Sequence, residues 1–455
     1  MTKDMTTGSP LRCIINFATP VFLGMLFQQL YNMADTMIVG RFLGLNALAG
    51  VGSTGSLYFL VLGTCTGICS GFAIPIAQMF GAKDFKILKR MAAACAILCA
   101  ALALTVTIIT VAACHPMLRL MDTPAEAYDY AYKYIIVIFA GIPFTLLYNM
   151  VASITRSLGD SKTPLLFLVI SSVLNILLDL LFILVIPMNV TGAALATVLA
   201  QAVSGIASFL YLYKKFDIIR PEKSDWIPTP FIYFRLCAIG LPMGLQYGIT
   251  AIGSIVIQTA VNGFGEATIA GVTAASKVYS LISCPLEAIG ATMATYAGQN
   301  VGAGRLDRVS KGLVAGTVSG WILSVATFIL MYFFGNNMTL LFIDAAETKA
   351  IEQAFRYTML CTAGFPLLTC ILTFRFSIQG MGFSTFAMIA GVLEMIARCF
   401  VGLVLTNHIG FTSICISSPA AWLTADLFLI PAFFFCMRTL KKRFAPIEYS
   451  TTLRK

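Results

Sequence analysis

The chain has 455 residues, 58% of them hydrophobic and 11% charged, with a mean hydropathy of +0.88. That balance excludes a soluble globular domain and calls for a polytopic membrane protein. The formal charge of +10 does not indicate a nucleic-acid binder, because the basic residues sit in alternate loops rather than on one face of a domain.

A helix needs roughly 20 apolar residues to cross the ~30 Å hydrocarbon core, and by that yardstick there are about twelve candidate spans. They lie near 14–40, 47–79, 91–114, 130–156, 164–186, 191–213, 235–261, 268–298, 312–335, 353–380, 384–407 and 412–437. The first is long, polar in its second half and followed by no small-residue cleavage pattern, which predicts that it stays in the mature protein. Lys3 and Arg12, Lys83 to Arg90, Arg156 and Lys162, Lys214 to Arg235, Arg305 to Lys311, Arg438 to Arg443, and Arg454 and Lys455 supply basic residues to one side. The other side holds only Arg41, Arg119, Lys133, Lys349 and Arg356, among acids such as Asp122, Glu126 and Asp344. This asymmetry predicts a multi-pass protein of the plasma (inner) membrane with both termini cytoplasmic and an even number of spans.

The chain is written twice. IAQMFGAKDFKILKR (76–90) is matched by YAGQNVGAGRLDRVSKG (296–312), which sets Gln78 against Gln299; AGIP (140–143) meets AGFP (363–366), and Pro20 meets Pro242. VLNILLDLLF (173–182) lies against VLEMIARCFV (392–401), all at nearly one offset. The expected fold is therefore all-α, with twelve transmembrane helices in two pseudo-symmetric six-helix lobes around a central cleft. The boundaries are an amino-terminal lobe over 1–213, a cytoplasmic linker over 214–234, a carboxyl-terminal lobe over 235–440 and a basic tail over 441–455. Six spans per repeat is even, so the repeats run parallel about an axis along the membrane normal, an arrangement that suits rocking lobes and alternating access.

Charges in the hydrocarbon layer are expensive, so each one is a candidate for function. In chain order, the first span carries Gln28, Met33 and Asp35, the fourth Tyr148 and Asn149, the fifth Asn175 and Asp179, and the sixth Thr197. Spacing by four puts Asn175 and Asp179 on one helix face. With Asp35 and Thr197 they offer two carboxylates, an amide oxygen and a hydroxyl, a set fit for a proton or a hard cation such as Na+; Asn149 is a possible addition. The alternative is a set of interhelical hydrogen bonds that hold the lobe together. Two acids with no base in the same lobe's spans make poor glue.

The second lobe has other chemistry. Glu287 follows Pro285 in the eighth span and is the candidate contact for a cationic substrate, with pairing to Lys277 as the alternative. Glu394 and Arg398 take the places of Asn175 and Asp179, in the order that favours an internal ion pair or else a place in the cleft. Asp426 in the twelfth span has no assigned role. Tyr148 and Met293, with Gln28 and Met33, are candidates for a pliable, cation-tolerant substrate wall, and lipid-facing or core packing is the ordinary alternative for each. The thirteen cysteines fall almost wholly inside apolar segments, with Cys65/Cys69 and Cys95/Cys99 at helical spacing, and read as small packing residues rather than metal ligands. No zinc spacing, HExxH, GxSxG or P-loop motif is present, so neither catalysis nor direct ATP coupling is expected.

PVFLGMLFQQLYNMADTMIVGRFLG in the first span, AIPIAQMFGAKD, RSLGDSKTP (156–164), NILLD and GQNVGAG together resemble the multidrug and toxic compound extrusion (MATE) transporters, near their DinF-like and MepA-like bacterial branch. The resemblance covers essentially the whole chain. It implies an antiporter exporting cationic or amphipathic small molecules against a proton or sodium gradient, with no cofactor. It also implies that Asp35, Asn175, Asp179 and Thr197 are the amino-lobe cation group. The seventh span lacks the glutamate that another branch uses as a cation ligand, which favours coupling through the amino lobe. A lipid or lipid-linked oligosaccharide flippase of the same superfamily is the nearest rival, and would need a cleft rich in arginine. A receptor or sensor is disfavoured by short loops and termini. Membrane lipid and small molecules are the expected partners, nucleic acid is not, and a monomer is the default state.

Overall fold

Inside hydrocarbon every backbone N–H and C=O must find a partner within the chain, which leaves helices as the solution for segments of this length and composition. The computed structural model describes residues 4–121 and 123–444, and all regular structure among them is helical. Lys3, Asp122, Arg454 and Lys455, together with the end of the tail from residue 445, lie outside the described residues. Among the described residues ten helices are long and apolar enough to span, and two bent pairs, each counted as one span, bring the number to twelve. We number them α1 Pro10–Leu43, α2 Leu45–Gly81, α3 Phe85–Ala112, α4 Ala125–Ala140 with Ile142–Ser157, α5 Lys162–Val185 and α6 Asn189–Lys215. The second set is α7 Pro230–Asn262, α8 Glu266–Gly302, α9 Leu306–Thr339, α10 Thr348–Ala363 with Phe365–Gly380, α11 Ser384–Ile409 and α12 Phe411–Phe444.

The repeat read from the sequence reappears as geometry. The AGIP and AGFP segments are where α4 and α10 bend, by 51° and 50°. π-helical turns recur at Leu181–Val185 in α5 and Val401–Leu405 in α11. The chain leaves α1 and α7 through Gly44 and Gly265, at φ 85° and 87°, a conformation that favours glycine. Where the copies differ in residue they keep the backbone: Lys83 and Gly304 have φ 57° and 70°, and Asn189 and Gly410 have 59° and 58°.

The joining segment is not loose. It forms two short 3-10 turns, and Glu222 and Asp225 in it pair with Lys89 at 3.0 Å and Arg90 at 3.5 Å at the start of α3. The apolar core centred on the amino lobe takes in Ile232 and Leu236 at the start of α7, and the one centred on the carboxyl lobe takes in Met5 ahead of α1 and Ile14, Phe17 and Val21 at its start, so each lobe's first helix begins in the other's core. Between the lobes, α2 lies against α7 and α8, and α1 against α8. Small residues let these backbones approach. A Cβ on Gly67 would stand 2.9 Å from the carbonyl oxygen of Met243, and one on Gly244 would stand 2.8 Å from that of Thr64.

At the end that carries the basic loops the seam is closed by a swapped pair of glutamines. Gln78 Nε2 donates to the carbonyl of Gly380 at 3.0 Å, in the other lobe, and Gln299 Nε2 donates back to that of Ser157 at 2.9 Å. Gln78 Oε1 accepts from Arg235 at 2.8 Å, and Gln299 Oε1 from the Met5 amide at 3.0 Å. The segment ahead of α1 is strapped to the second lobe. Arg305 donates to the carbonyl of Thr6 at 2.7 Å, and Arg308 to those of Gly8 at 2.8 Å and Met5 at 3.1 Å.

Candidate cation site

Three helices of the amino lobe bring their polar residues to one place. Asp35 comes from α1, Asn175 and Asp179 from successive turns of α5, and Thr197 from α6. Asn175 Nδ2 donates to Thr197 Oγ1 at 3.2 Å, and Thr197 in turn donates to the carbonyl of Ala193 at 3.2 Å. The carboxyl groups of Asp35 and Asp179 meet at hydrogen-bonding range. Asp179 is wholly buried and Asn175 is 2% exposed. Both oxygens of Asp179, Oδ1 of Asp35 and Oδ1 of Asn175 are buried without a hydrogen-bond donor among the described residues. Buried acceptors normally have donors, so four orphaned oxygens in one cluster describe a site that lacks positive charge. Among the described residues, no basic side chain forms an ion pair with either aspartate. The residues thus fit a proton or a hard cation held by carboxylate, amide and hydroxyl oxygen.

The polar surface continues toward the basic end, in a void of about 10 Å³ that has room for one water. Gln28, Tyr31, Ser171, Asn175, Thr197 and Gln201 line it. Tyr31 reaches Thr197, and Tyr58 and Tyr134 also stand near Asp35. Tyr31, Ser171 and Gln201 had a legible signal, since they lie four residues from Asp35, Asn175 and Thr197 and so on the same helix faces.

Other candidates are placed elsewhere. Gln28, a candidate substrate contact, sits at this amino-lobe void. Met33, one turn further along α1, is half-buried. Asn149 does not join the cluster in hydrogen bonding; its Nδ2 is engaged by the carbonyl of Thr145 in its own helix at 2.9 Å. Tyr148 is turned into the lobe, where its hydroxyl donates to the carbonyl of Pro164 at 3.2 Å and its ring packs with Ala152 and Phe167. Met293 is fully buried in the carboxyl-lobe core, on the face of α8 that meets α9 at Gly316. Neither forms a cleft wall, because each lies on the helix face that its lobe needs for packing.

Glu287 is half-buried and accepts a hydrogen bond from Ser283 Oγ at 2.8 Å. Lys277 is exposed and does not pair with it; ten residues along a helix put them roughly 15 Å apart. The ion pair expected within α11 is also absent. Arg375 of α10 reaches across to pair with Glu394, while Arg398 donates to Ser254 Oγ of α7 at 3.1 Å. The cause is tertiary: Arg398 is drawn against α7 at Gly253, where no side chain intervenes, leaving the acid to a partner from another helix.

The MatE family model matches residues 20–181 and again 242–404, one copy in each lobe and more than half the chain in all. The chain belongs to the MatE family. Members of this MATE family are transporters, not enzymes. The chain is 29% identical over 356 residues to a probable multidrug resistance protein, YpnP, of Bacillus subtilis, covering 77% of this chain and 79% of that protein. It is 24% identical over 263 residues to the multidrug export protein MepA of Staphylococcus saprophyticus, 58% of each chain. Among solved structures, a MATE protein in complex with MaL6 superposes with a TM-score of 0.91 at 23% identity, over 97% of this chain and 100% of that one. A MATE transporter described as outward-facing superposes equally well, with a TM-score of 0.91 at 22% identity over 96% and 98% of the two chains. These likenesses establish the MATE fold as a multi-pass membrane protein.

Proposed function

We propose that this MATE protein is a secondary multidrug exporter, in which a proton or a sodium ion binding between Asp35 and Asp179 drives the outward release of cationic or amphipathic small molecules. The relatives named as multidrug resistance and export proteins support the class of cargo. The observation that carries the coupling is the meeting of two carboxyl groups with no base beside them. Two like charges at that range repel strongly in a desolvated setting, and one bound cation relieves them. Because Asp35 is on α1 and Asp179 on α5, the bound cation ties two helices that the empty site pushes apart. The state of the site is thereby linked to the shape of the lobe.

The cycle runs by rocking of the lobes in the plasma membrane, with both termini cytoplasmic. In this reading the end sealed by the glutamine seam is the cytoplasmic one, and the cargo site opens to the opposite face. Cation entry favours cargo release, and the loaded carrier returns inward. Coupling requires the two ligands to differ in affinity for the two states. A flippase for an anionic headgroup fits less well, since the charge of Arg375 is already matched by Glu394.

The test is efflux of a fluorescent lipophilic cation from proteoliposomes under an imposed proton gradient and then a sodium gradient, for wild type and Asp35→Asn. Transport driven by one gradient and abolished by the substitution upholds the reading and names the ion. A folded wild-type protein that moves the dye under neither gradient overturns it.

A further inference from the structure

The carboxyl lobe buries two acids beside one base. Arg375 of α10, Glu394 of α11 and Asp426 of α12 are 7%, 3% and 3% exposed. Arg375 pairs with Glu394, and Asp426 lies within electrostatic reach of both. Yet neither carboxyl oxygen of Asp426 has a hydrogen-bond partner among the described residues. α12 packs against α7, α9, α10 and α11 and, through Tyr279 stacked on Trp422 one turn from Asp426, against α8; among the described residues the charged or thiol groups these helices bring to Asp426 are Arg375, Glu394 and Cys370. With both acids ionised, one negative charge is left without a counter-ion in the hydrocarbon layer, a costly arrangement that a single proton removes.

Building on the antiporter reading, we propose that Arg375, Glu394 and Asp426 form a second coupling site, which holds one exchangeable proton. The guanidinium neutralises one carboxylate at a time, and the proton sits on an oxygen of the other. In the arrangement described here, Arg375 pairs with Glu394 and Asp426 carries the proton as a neutral carboxylic acid. When the guanidinium turns to Asp426, that proton leaves and Glu394 takes one up. No net charge is created in the lobe by the exchange, and one proton is bound in either arrangement; release to water leaves the trio with its unpaired negative charge.

The trio is wired to the part of the molecule that must move. One turn beyond Arg375, Gln379 Nε2 donates to Gln246 Oε1 of α7 at 2.8 Å. One turn beyond Glu394, Arg398 holds Ser254 of the same helix. α7 contains Pro242, and its Gly240 and Gly244 pack on α2 of the other lobe, so the helix tied to the trio is also one side of the lobe seam. Tyr247 of α7 stands within electrostatic reach of both Arg375 and Glu287.

The purified full-length protein in detergent tests the site directly. Proton uptake between pH 9 and pH 5 is measured by a pH indicator for wild type, Asp426→Asn and Glu394→Gln. Each variant leaves one acid for one base, so each should take up one proton fewer than wild type. Glu394→Gln keeps the test decisive should Asp426→Asn fail to fold. In proteoliposomes, the limiting accumulation of the lipophilic cation under a proton gradient should fall about tenfold per pH unit for each coupled proton lost. Equal proton uptake by wild type and both variants overturns the site. A one-proton deficit with unchanged accumulation overturns its part in coupling. Absence of gradient-driven transport in wild type instead overturns the antiporter reading and the coupling with it, while the titration still decides whether the trio holds a proton.

Discussion

Replacing Gly302 by alanine tests whether the glutamine seam is the closed gate. Gly302 and its repeat partner Gly81 each face the backbone of the opposite glutamine. A methyl at Gly302 would stand 2.6 Å from the carbonyl carbon of Gln78 and closer still to its oxygen, and one at Gly81 would stand 2.7 Å from that of Gln299. Both neighbours are backbone atoms of buried helices, so they cannot swing aside as a flexible side chain would. Overpacking of this kind costs about 1–3 kcal/mol. The clash exists only while the lobes are closed at this end, so the whole cost falls on the closed state. A bias of that size shifts the closed-to-open ratio roughly 5- to 150-fold. Hydrogen exchange read by mass spectrometry should show peptides over 76–84 and 297–305 exchanging faster in Gly302→Ala, with the lobe cores unchanged. Gly81→Ala should act alike, and the double variant should fall short of additive because the two methyls disturb one contact. Wild-type exchange in both peptides, with the protein folded, would refute the reasoning.

Asp179→Asn should abolish gradient-driven efflux as Asp35→Asn does, whereas Thr197→Ala removes one hydrogen bond to Asn175, a change of about 1 kcal/mol, and should weaken coupling only severalfold in the same assay. Met293→Ala should lower thermal stability by about 2–5 kcal/mol, since it empties a core position, while leaving the range of exported dyes unchanged in a cell-based efflux panel. Arg308→Ala removes the donors that hold the carbonyls of Met5, Thr7 and Gly8, and limited proteolysis should then cut ahead of α1 faster than in wild type. Equal cleavage rates would show that the strap is held without it.

Much of the fold was legible because the bilayer enforces it. Runs of apolar residues mark the spans, and the matched pairs AGIP with AGFP and Gln78 with Gln299 mark the repeat, though not the bends and the seam that these residues form. The candidate cation site was legible for a related reason: an acid is too expensive in hydrocarbon to be there by accident, and spacing by four along α5 and α6 fixes which polar residues share its face. Helix rotation is where the sequence ran out. Tyr148 and Met293 satisfy the composition of a cargo wall, but nothing local says which face of α4 or α8 turns to the lobe core.

The ion pairs make the same point most sharply. Glu394 and Arg398 obey the local rule for an intrahelical pair, and that rule is worth only a few tenths of a kcal/mol. Arg375 lies nineteen positions away on another helix, and it takes the acid because α10 packs beside α11 while Arg398 is held against α7 by Ser254. Asp426 had no sequence partner at all, and acquired its neighbours only when α10, α11 and α12 packed together. The sequence by itself determined that this protein crosses the membrane, that it is built twice, and that Asp35 and Asp179 are worth burying. Tertiary packing alone decided which charges pair, since partner choice between helices depends on rotation and depth, and both are set by the small residues at each crossing.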